Sequence, residues 1–338
     1  MRAAVLRAPR DLRIEDRQTR RPAPDEVSVR VTLAGLCGTD YRIWTGDRPV
    51  AYPRVLGHEL VGVVEAVGPG VTRVRPGDRV SVEPNYSCGV CPLCREGNRN
   101  LCVSRTAVGI DVDGGLAHAV MVPSRCCWRV PGDAPDERLL LTEPLAVVVR
   151  AVGRGAPRPG ETAAVIGVGT LGLLAVQLLR ARGARVLALS RTSRRFDLAR
   201  TLGAAATHAV GDGDPTAAAR AFSGREGVDL VVETAGTAEA VNHAVALVRP
   251  GGRVVLTGLP HEPTTLSFFP VVRHEVTIVG SMIYQDEFPQ ALGLLATGRV
   301  RTGPLLTHRF DLAGIDAAFA AHREPDSIKV TVVPRATG

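Results

Sequence analysis

The stretch that most constrains this 338-residue chain runs from Thr162 to Arg182. Residues 163–166 form a short apolar run. Gly167-Val168-Gly169-Thr170-Leu171-Gly172 follows, and residues 171–182 repeat apolar side chains at helical spacing. A predicted strand, a glycine turn and a helix in that order leave few folds open. The first glycine makes the tight turn, the second lets the backbone approach a pyrophosphate, and the third permits close helix packing. The helix N-terminus, with Thr170 and Leu171 in its first turn, favours negative charge. The alternation recurs, with a strand at 185–189, a helix at 194–202 and strands at 228–232 and 253–256. This predicts an α/β fold with a doubly wound, Rossmann-type parallel sheet.

In such a sheet the end of the second strand selects the cofactor. A carboxylate there holds a ribose 2′-hydroxyl. Here residue 190 is Ser, followed by Arg191-Thr192-Ser193-Arg194-Arg195. Ser190 can donate to a 2′-phosphate, and Arg191 and Arg195 can pair with it, so NADP is expected ahead of NAD. The alternative is that these arginines form a solvated helix face, with NAD as cofactor. Glu233-Thr234-Ala235-Gly236 closes a later strand, where ligands of open α/β sheets lie.

The first 140 residues read differently. Val27-Ser28-Val29-Arg30-Val31 alternates with period two, and residues 61–68 and 79–82 are further predicted strands between turn signals. This part also holds a cysteine cluster, Cys88, Cys91, Cys94 and Cys102. With 7 cysteines in 338 residues, a 15-residue window would hold about 0.3 by chance. Four thiolates so close suit a closed, tetrahedral structural zinc site. Cys37, His58, Glu59 and Glu143 offer a thiol, an imidazole and carboxylates. Three such ligands would leave a fourth position open, as catalytic zinc requires, although spacing alone does not gather them.

Composition narrows the rest. The formal charge of +7 comes from 41 basic residues, of which Lys329 is the one lysine. Arg is spread along the chain rather than gathered in a stripe, and aromatics are only 4%, so no nucleic-acid partner is expected. No apolar run is long enough for a membrane span, and an odd number of clustered cysteines points to metal in a reducing compartment, with cytoplasm expected.

Taken together, Cys37-Gly38-Thr39-Asp40, Gly57-His58-Glu59, the four-Cys cluster, Asp113-Gly114-Gly115-Leu116-Ala117, Glu143-Pro144-Leu145-Ala146 and the glycine turn resemble the zinc-containing medium-chain dehydrogenases. The likeness is greatest to their sorbitol (polyol) and threonine dehydrogenase branch and spans nearly the whole chain. It implies a β-rich GroES-like catalytic domain over residues 1–145, with a zinc lobe at about 84–104. It also implies a Rossmann domain over 146–283 and a C-terminal segment, 284–338, returning to the catalytic domain. Cys37, His58 and Glu143 would be ligands of a catalytic zinc. Glu59 would lie beside the metal, as alternate ligand or tuning carboxylate, and the four cysteines would hold a second zinc.

The implied reaction is hydride transfer between NADP and a secondary alcohol (a polyol, cyclitol, sugar or amino alcohol), with Thr39 taking the hydroxyl proton. A homodimer or homotetramer acting on a small molecule is expected. The alternatives are an NAD-dependent alcohol or aldehyde reductase of the same fold, and a zinc-binding module without catalysis. One departure stands out. The family's relay histidine, five residues after the ligand Cys, is Arg42 here. Arginine stays protonated and cannot relay a proton. Either Thr39 and the cofactor ribose pass the proton to water or another group does, and Arg42 could instead hold a cofactor phosphate or an anionic substrate.

Overall fold

The computed structural model describes residues 1–260 and 263–334. The last four residues of the predicted C-terminal segment lie outside that range. The chain forms two compact units, Met1–Glu143 with Phe288–Gly338, and Pro144–Glu287. Among the described residues no helix is long and apolar enough to cross a membrane.

The second unit is the expected Rossmann sheet. Its six strands are Thr162–Ile166, Arg185–Ser190, Ala206–Ala209, Val228–Glu233, Val248–Leu256 and Thr277–Gly280. In the sheet they run third, second, first, fourth, fifth, sixth, all parallel. The central strands Thr162–Ile166 and Val228–Glu233 are buried at every position, which explains why they read as largely apolar runs rather than alternating ones. The two outer strands, Ala206–Ala209 and Thr277–Gly280, escaped prediction. Edge strands are short and only partly covered, so they carry little pattern.

In the first unit the strand Glu26–Leu36 organises a seven-stranded sheet. Its first half alternates buried and half-buried residues, as predicted from 27–31. The strand continues to Leu36 because Leu33, Ala34, Gly35 and Leu36 are all buried, which breaks the alternation that marks a one-sided strand. It pairs antiparallel with Glu59–Val67 on one flank and with Lys329–Val333 on the other. Gly35 therefore faces Glu59 across one ladder and Thr331 across the other. The C-terminal segment thus completes the first unit's sheet. Directly after Leu36 and Cys37 the helix Gly38–Thr45 begins, and the helix Thr142–Gly155 carries Glu143 in its first turn.

Candidate active site

Three functional groups named from the sequence converge at the end of the Glu26–Leu36 strand. The Cys37 sulfur, a His58 ring nitrogen and a Glu59 carboxylate oxygen lie within 4.8 Å of one another. Cys37 is the N-cap of the helix Gly38–Thr45, and His58 and Glu59 open the neighbouring strand. Asp40 builds the corner. One carboxylate oxygen accepts the Cys37 backbone N–H at 2.8 Å, and the other accepts the Gly57 N–H and faces His58 Nδ1, both at 3.2 Å. Asp40 is fully buried. Burial alone would raise its carboxyl, but His58 and the two N–H groups outweigh that and hold it below the usual range. Burial would likewise lower His58, yet Asp40 and then Cys37 raise it well above its ordinary value. Asp40 thereby fixes the imidazole through Nδ1 and leaves Nε2 for a metal.

The two carboxylates of the site differ. Glu59 is paired with Lys329, whose ammonium donates to both of its oxygens at 2.6 Å and to the Leu36 carbonyl at 3.1 Å. Both side chains are almost wholly buried, 4% exposed for Lys329 and 1% for Glu59. Gly35 lies under this pair, and a Cβ there would stand 2.6 Å from a Glu59 oxygen. Glu143 is not one of the three mutually close groups, but it is buried and its charge couples to His58. Burial pushes its carboxyl up to about 7, with the Glu59 charge adding to the rise against the pull of His58. A thiol, an imidazole whose other nitrogen is already held, and a buried carboxyl group form a donor set whose chemistry fits a catalytic zinc. Glu59 has its countercharge in Lys329. Thr39 is half-buried in the first turn of the same helix.

The four-Cys cluster closes as the spacing implied. Cys88, Cys91, Cys94 and Cys102 bring their sulfurs within 4.8 Å of one another, with individual separations of 4.0, 3.9 and 3.5 Å. A zinc–sulfur bond of about 2.3 Å in a tetrahedron sets sulfur–sulfur distances near about 3.8 Å, so the cluster has the size zinc needs. Backbone N–H groups of Val90 and Cys91 aimed at Cys88 lower its thiol to about 6, toward the thiolate form. Cys126 and Cys127 are buried in the first unit's core and take no part.

In the Rossmann unit, Gly167, Gly169, Ser190 and Arg191 line one crevice together with Thr234 and Ala235. Gly169 caps the helix Thr170–Ala181, so Thr170 and Leu171 supply its first backbone N–H groups. A Cβ at Gly172 would overlap the Gly167 carbonyl oxygen, which makes glycine obligatory there. Arg195 donates to the Val168 carbonyl, within the glycine turn, at 3.3 Å. Glu233 is fully buried, and one of its oxygens accepts the Ala235 and Gly236 N–H groups at 2.6 and 2.7 Å, which shapes the loop on the crevice's far side.

Sequence reasoning missed Asp40, Lys329 and the loop-shaping role of Glu233. Asp40 was signalled by its place three residues after the N-cap Cys37, where a capping carboxylate reaches back. Lys329 was signalled by being the chain's one lysine, but its partner is 270 residues away.

Comparison with known proteins agrees with this architecture. Residues 23–132 match the alcohol dehydrogenase GroES-like domain, and residues 170–297 match the zinc-binding dehydrogenase family. Sorbitol dehydrogenase of Bacillus subtilis is 32% identical over 99% of this chain and 97% of its own. A zinc-binding dehydrogenase from Sinorhizobium meliloti 1021, solved with NADP, superposes with a TM-score of 0.94 at 33% identity, covering 98% of this chain and 99% of the other. The alcohol dehydrogenase RspB of Escherichia coli CFT073, solved with NADH, gives 0.93 at 31% identity and the same coverage. With a GroES-like unit, a Rossmann unit and relatives matched over nearly its full length, the chain belongs to the zinc-dependent medium-chain dehydrogenase family.

Proposed function

We propose that the chain carries two zincs and transfers a hydride between NADP and a secondary alcohol of the polyol, cyclitol, sugar or amino-alcohol class, or the corresponding ketone. The observation that carries this reading is the convergence of the Cys37 sulfur, a His58 ring nitrogen and the Glu59 carboxylate, with Asp40 against the imidazole and the buried Glu143 electrostatically coupled to it. Cys37, His58 and Glu143 would hold the catalytic zinc, and Cys88, Cys91, Cys94 and Cys102 the structural one. When bound, the metal supplies Lewis-acid polarisation of the substrate oxygen, and the nicotinamide exchanges the hydride.

The protein's own groups do the remaining work. Asp40 keeps His58 in one tautomer and one orientation. Lys329 neutralises Glu59, so the carboxylate next to the metal ligands adds little net charge to the site. Thr39 would accept the proton of the substrate hydroxyl while giving up its own hydroxyl proton, which passes on to water through the cofactor ribose or another group. In the second unit, Gly167, Gly169, Thr170, Leu171 and Gly172 offer the turn and helix start that suit a pyrophosphate. Ser190 and Arg191, at the end of the second strand, offer a donor and a cation for a 2′-phosphate. We read the two units as catalytic and dinucleotide-binding domains of a cytoplasmic homo-oligomer, as the family likeness implies.

Arg195, bonded to Val168, supports a second reading in which only Arg191 speaks for NADP and NAD also serves. Initial rates of nicotinamide reduction by the zinc-loaded protein test both. The panel holds polyols, cyclitols, amino alcohols and simple alcohols, each with NADP and NAD. Turnover with NADP ahead supports the Ser190–Arg191 reading. NAD ahead transfers those arginines to the surface. No turnover in either direction of reaction would favour a binding module over an enzyme.

A further inference from the structure

The segment Asp113-Gly114-Gly115-Leu116 lies directly against the residues that deliver His58. The Val55 N–H donates to an Asp113 carboxylate oxygen at 3.0 Å. The N–H groups of Gly114, Gly115 and Leu116 donate to the carbonyls of Val55, Gly57 and Leu56 at 2.8, 2.8 and 2.9 Å. The segment is itself anchored. On its other side the Ala4 N–H, from the strand Arg2–Ala8, donates to the Leu116 carbonyl at 2.9 Å, and both residues are wholly buried. Arg54 approaches the same Asp113 oxygen at 3.4 Å, and Arg17 the other at 3.6 Å.

The fit has no slack. A Cβ at Gly109 or Gly114 would stand 2.5 or 2.4 Å from the Gly57 carbonyl oxygen. Gly57 is gripped at both ends: its N–H donates to Asp40 at 3.2 Å and its carbonyl accepts the Gly115 N–H. The Asp40 oxygen that accepts this N–H also faces His58 Nδ1, so any shift of the Gly57 backbone moves both contacts together. We propose that the Asp113–Leu116 segment positions the His58 ligand, with Asp113 as the side chain that fixes Val55 and, through it, the Gly57–His58 backbone. The direction from which the imidazole meets Asp40, and hence the hold on the catalytic zinc, is then set from outside the ligand set. For the metal this rests on the zinc reading above, whereas the fixing of the imidazole is a property of the polypeptide alone.

Asp113→Ala and Asp113→Asn separate positioning from charge. The alanine removes the acceptor of the Val55 N–H, and the asparagine keeps an oxygen there while dropping the charge toward Arg17 and Arg54. The first readout is chelator competition on the zinc-loaded protein, with the catalytic zinc identified as the one missing from His58→Ala. Asp113→Ala should hold that zinc about 10-fold less tightly and the four-cysteine zinc as tightly as the parent, and Asp113→Asn should restore most of the affinity. The second readout is solvent exchange of the His58 Nδ1 proton in the metal-free protein, followed by magnetic resonance on isotope-labelled histidine. It should be several-fold faster in Asp113→Ala and near the parent's rate in Asp113→Asn. Parent-like affinity and exchange in Asp113→Ala would overturn the proposal. So would loss of both zincs in step, or an asparagine variant as impaired as the alanine, since Asp113 would then serve the fold or the arginines. If Asp113→Ala does not fold, Gly115→Ala is the gentler displacement of the same segment, its Cβ meeting the Leu60 side chain at 3.0 Å, and is read in the same way. A parent without a catalytic zinc sinks the zinc reading, whereas the metal-free exchange still decides whether the segment holds the imidazole.

Discussion

Removing the Lys329 ammonium should cost the catalytic unit more than almost any other single change. Its partner Glu59 is 1% exposed and receives two charged hydrogen bonds at 2.6 Å, with a third from Lys329 to the Leu36 carbonyl. At an effective dielectric of about 20, unit charges about 4 Å apart interact by about 4 kcal/mol. Lys329→Met gives this up and leaves a buried, uncompensated carboxylate, so a loss of about 3–5 kcal/mol is expected. Glu59→Gln should cost a comparable amount by stranding the ammonium. The double variant Lys329→Met/Glu59→Gln should recover most of the loss, because neither charge then remains. Urea unfolding of the metal-free protein measures all three. The chain's two tryptophans, Trp44 and Trp128, both lie in the first unit, so intrinsic fluorescence reports on the unit that holds the pair. A Lys329→Met cost below about 1 kcal/mol, or a double variant losing the full sum of the singles, would refute the claim that this is a coupled buried ion pair.

Three further outcomes follow from the geometry. Gly172→Ala should abolish or severely weaken dinucleotide binding, measured by nucleotide fluorescence titration, because its Cβ has no room beside the Gly167 carbonyl. Cys94→Ser should release one zinc equivalent per chain, read by mass spectrometry under native conditions, and lower the melting temperature, because Cys94 is a buried member of the four-sulfur cluster. His322 stacks on Tyr41, and burial lowers its imidazole to about 4 from an ordinary 6.5. The unfolded chain therefore takes up this proton first as pH falls, so folding stability drops progressively between about pH 6.5 and 4. His322→Gln removes that proton from the balance, and its melting temperature should fall less steeply than the parent's over the same window.

What was legible in the sequence was local chemistry. The glycine turn, the four cysteines and the buried Val228–Glu233 strand each sit within 15 residues and announce themselves by spacing or by a largely apolar run. Four-sulfur geometry in particular follows from one short loop. What was hidden depends on long-range pairing. The C-terminal segment was expected to return to the catalytic domain, but only the pairing of Lys329–Val333 with Glu26–Leu36 places the Lys329 ammonium on Glu59. Asp40 reads as an ordinary helix-start carboxylate until the fold brings Gly57 and His58 to its second oxygen. Arg195 reads as a phosphate partner in a run of basic residues, and only the packing of that run shows it bonded to Val168.

Zinc content of the purified protein, measured by plasma mass spectrometry alongside His58→Ala, tests the central claim most directly. The account predicts two zincs per chain in the parent and one in the variant, with the four-cysteine zinc retained and turnover lost. A single zinc in the parent that survives His58→Ala unchanged would show that only the four-cysteine lobe binds metal, and would contradict the assignment of a catalytic zinc to Cys37, His58 and Glu143.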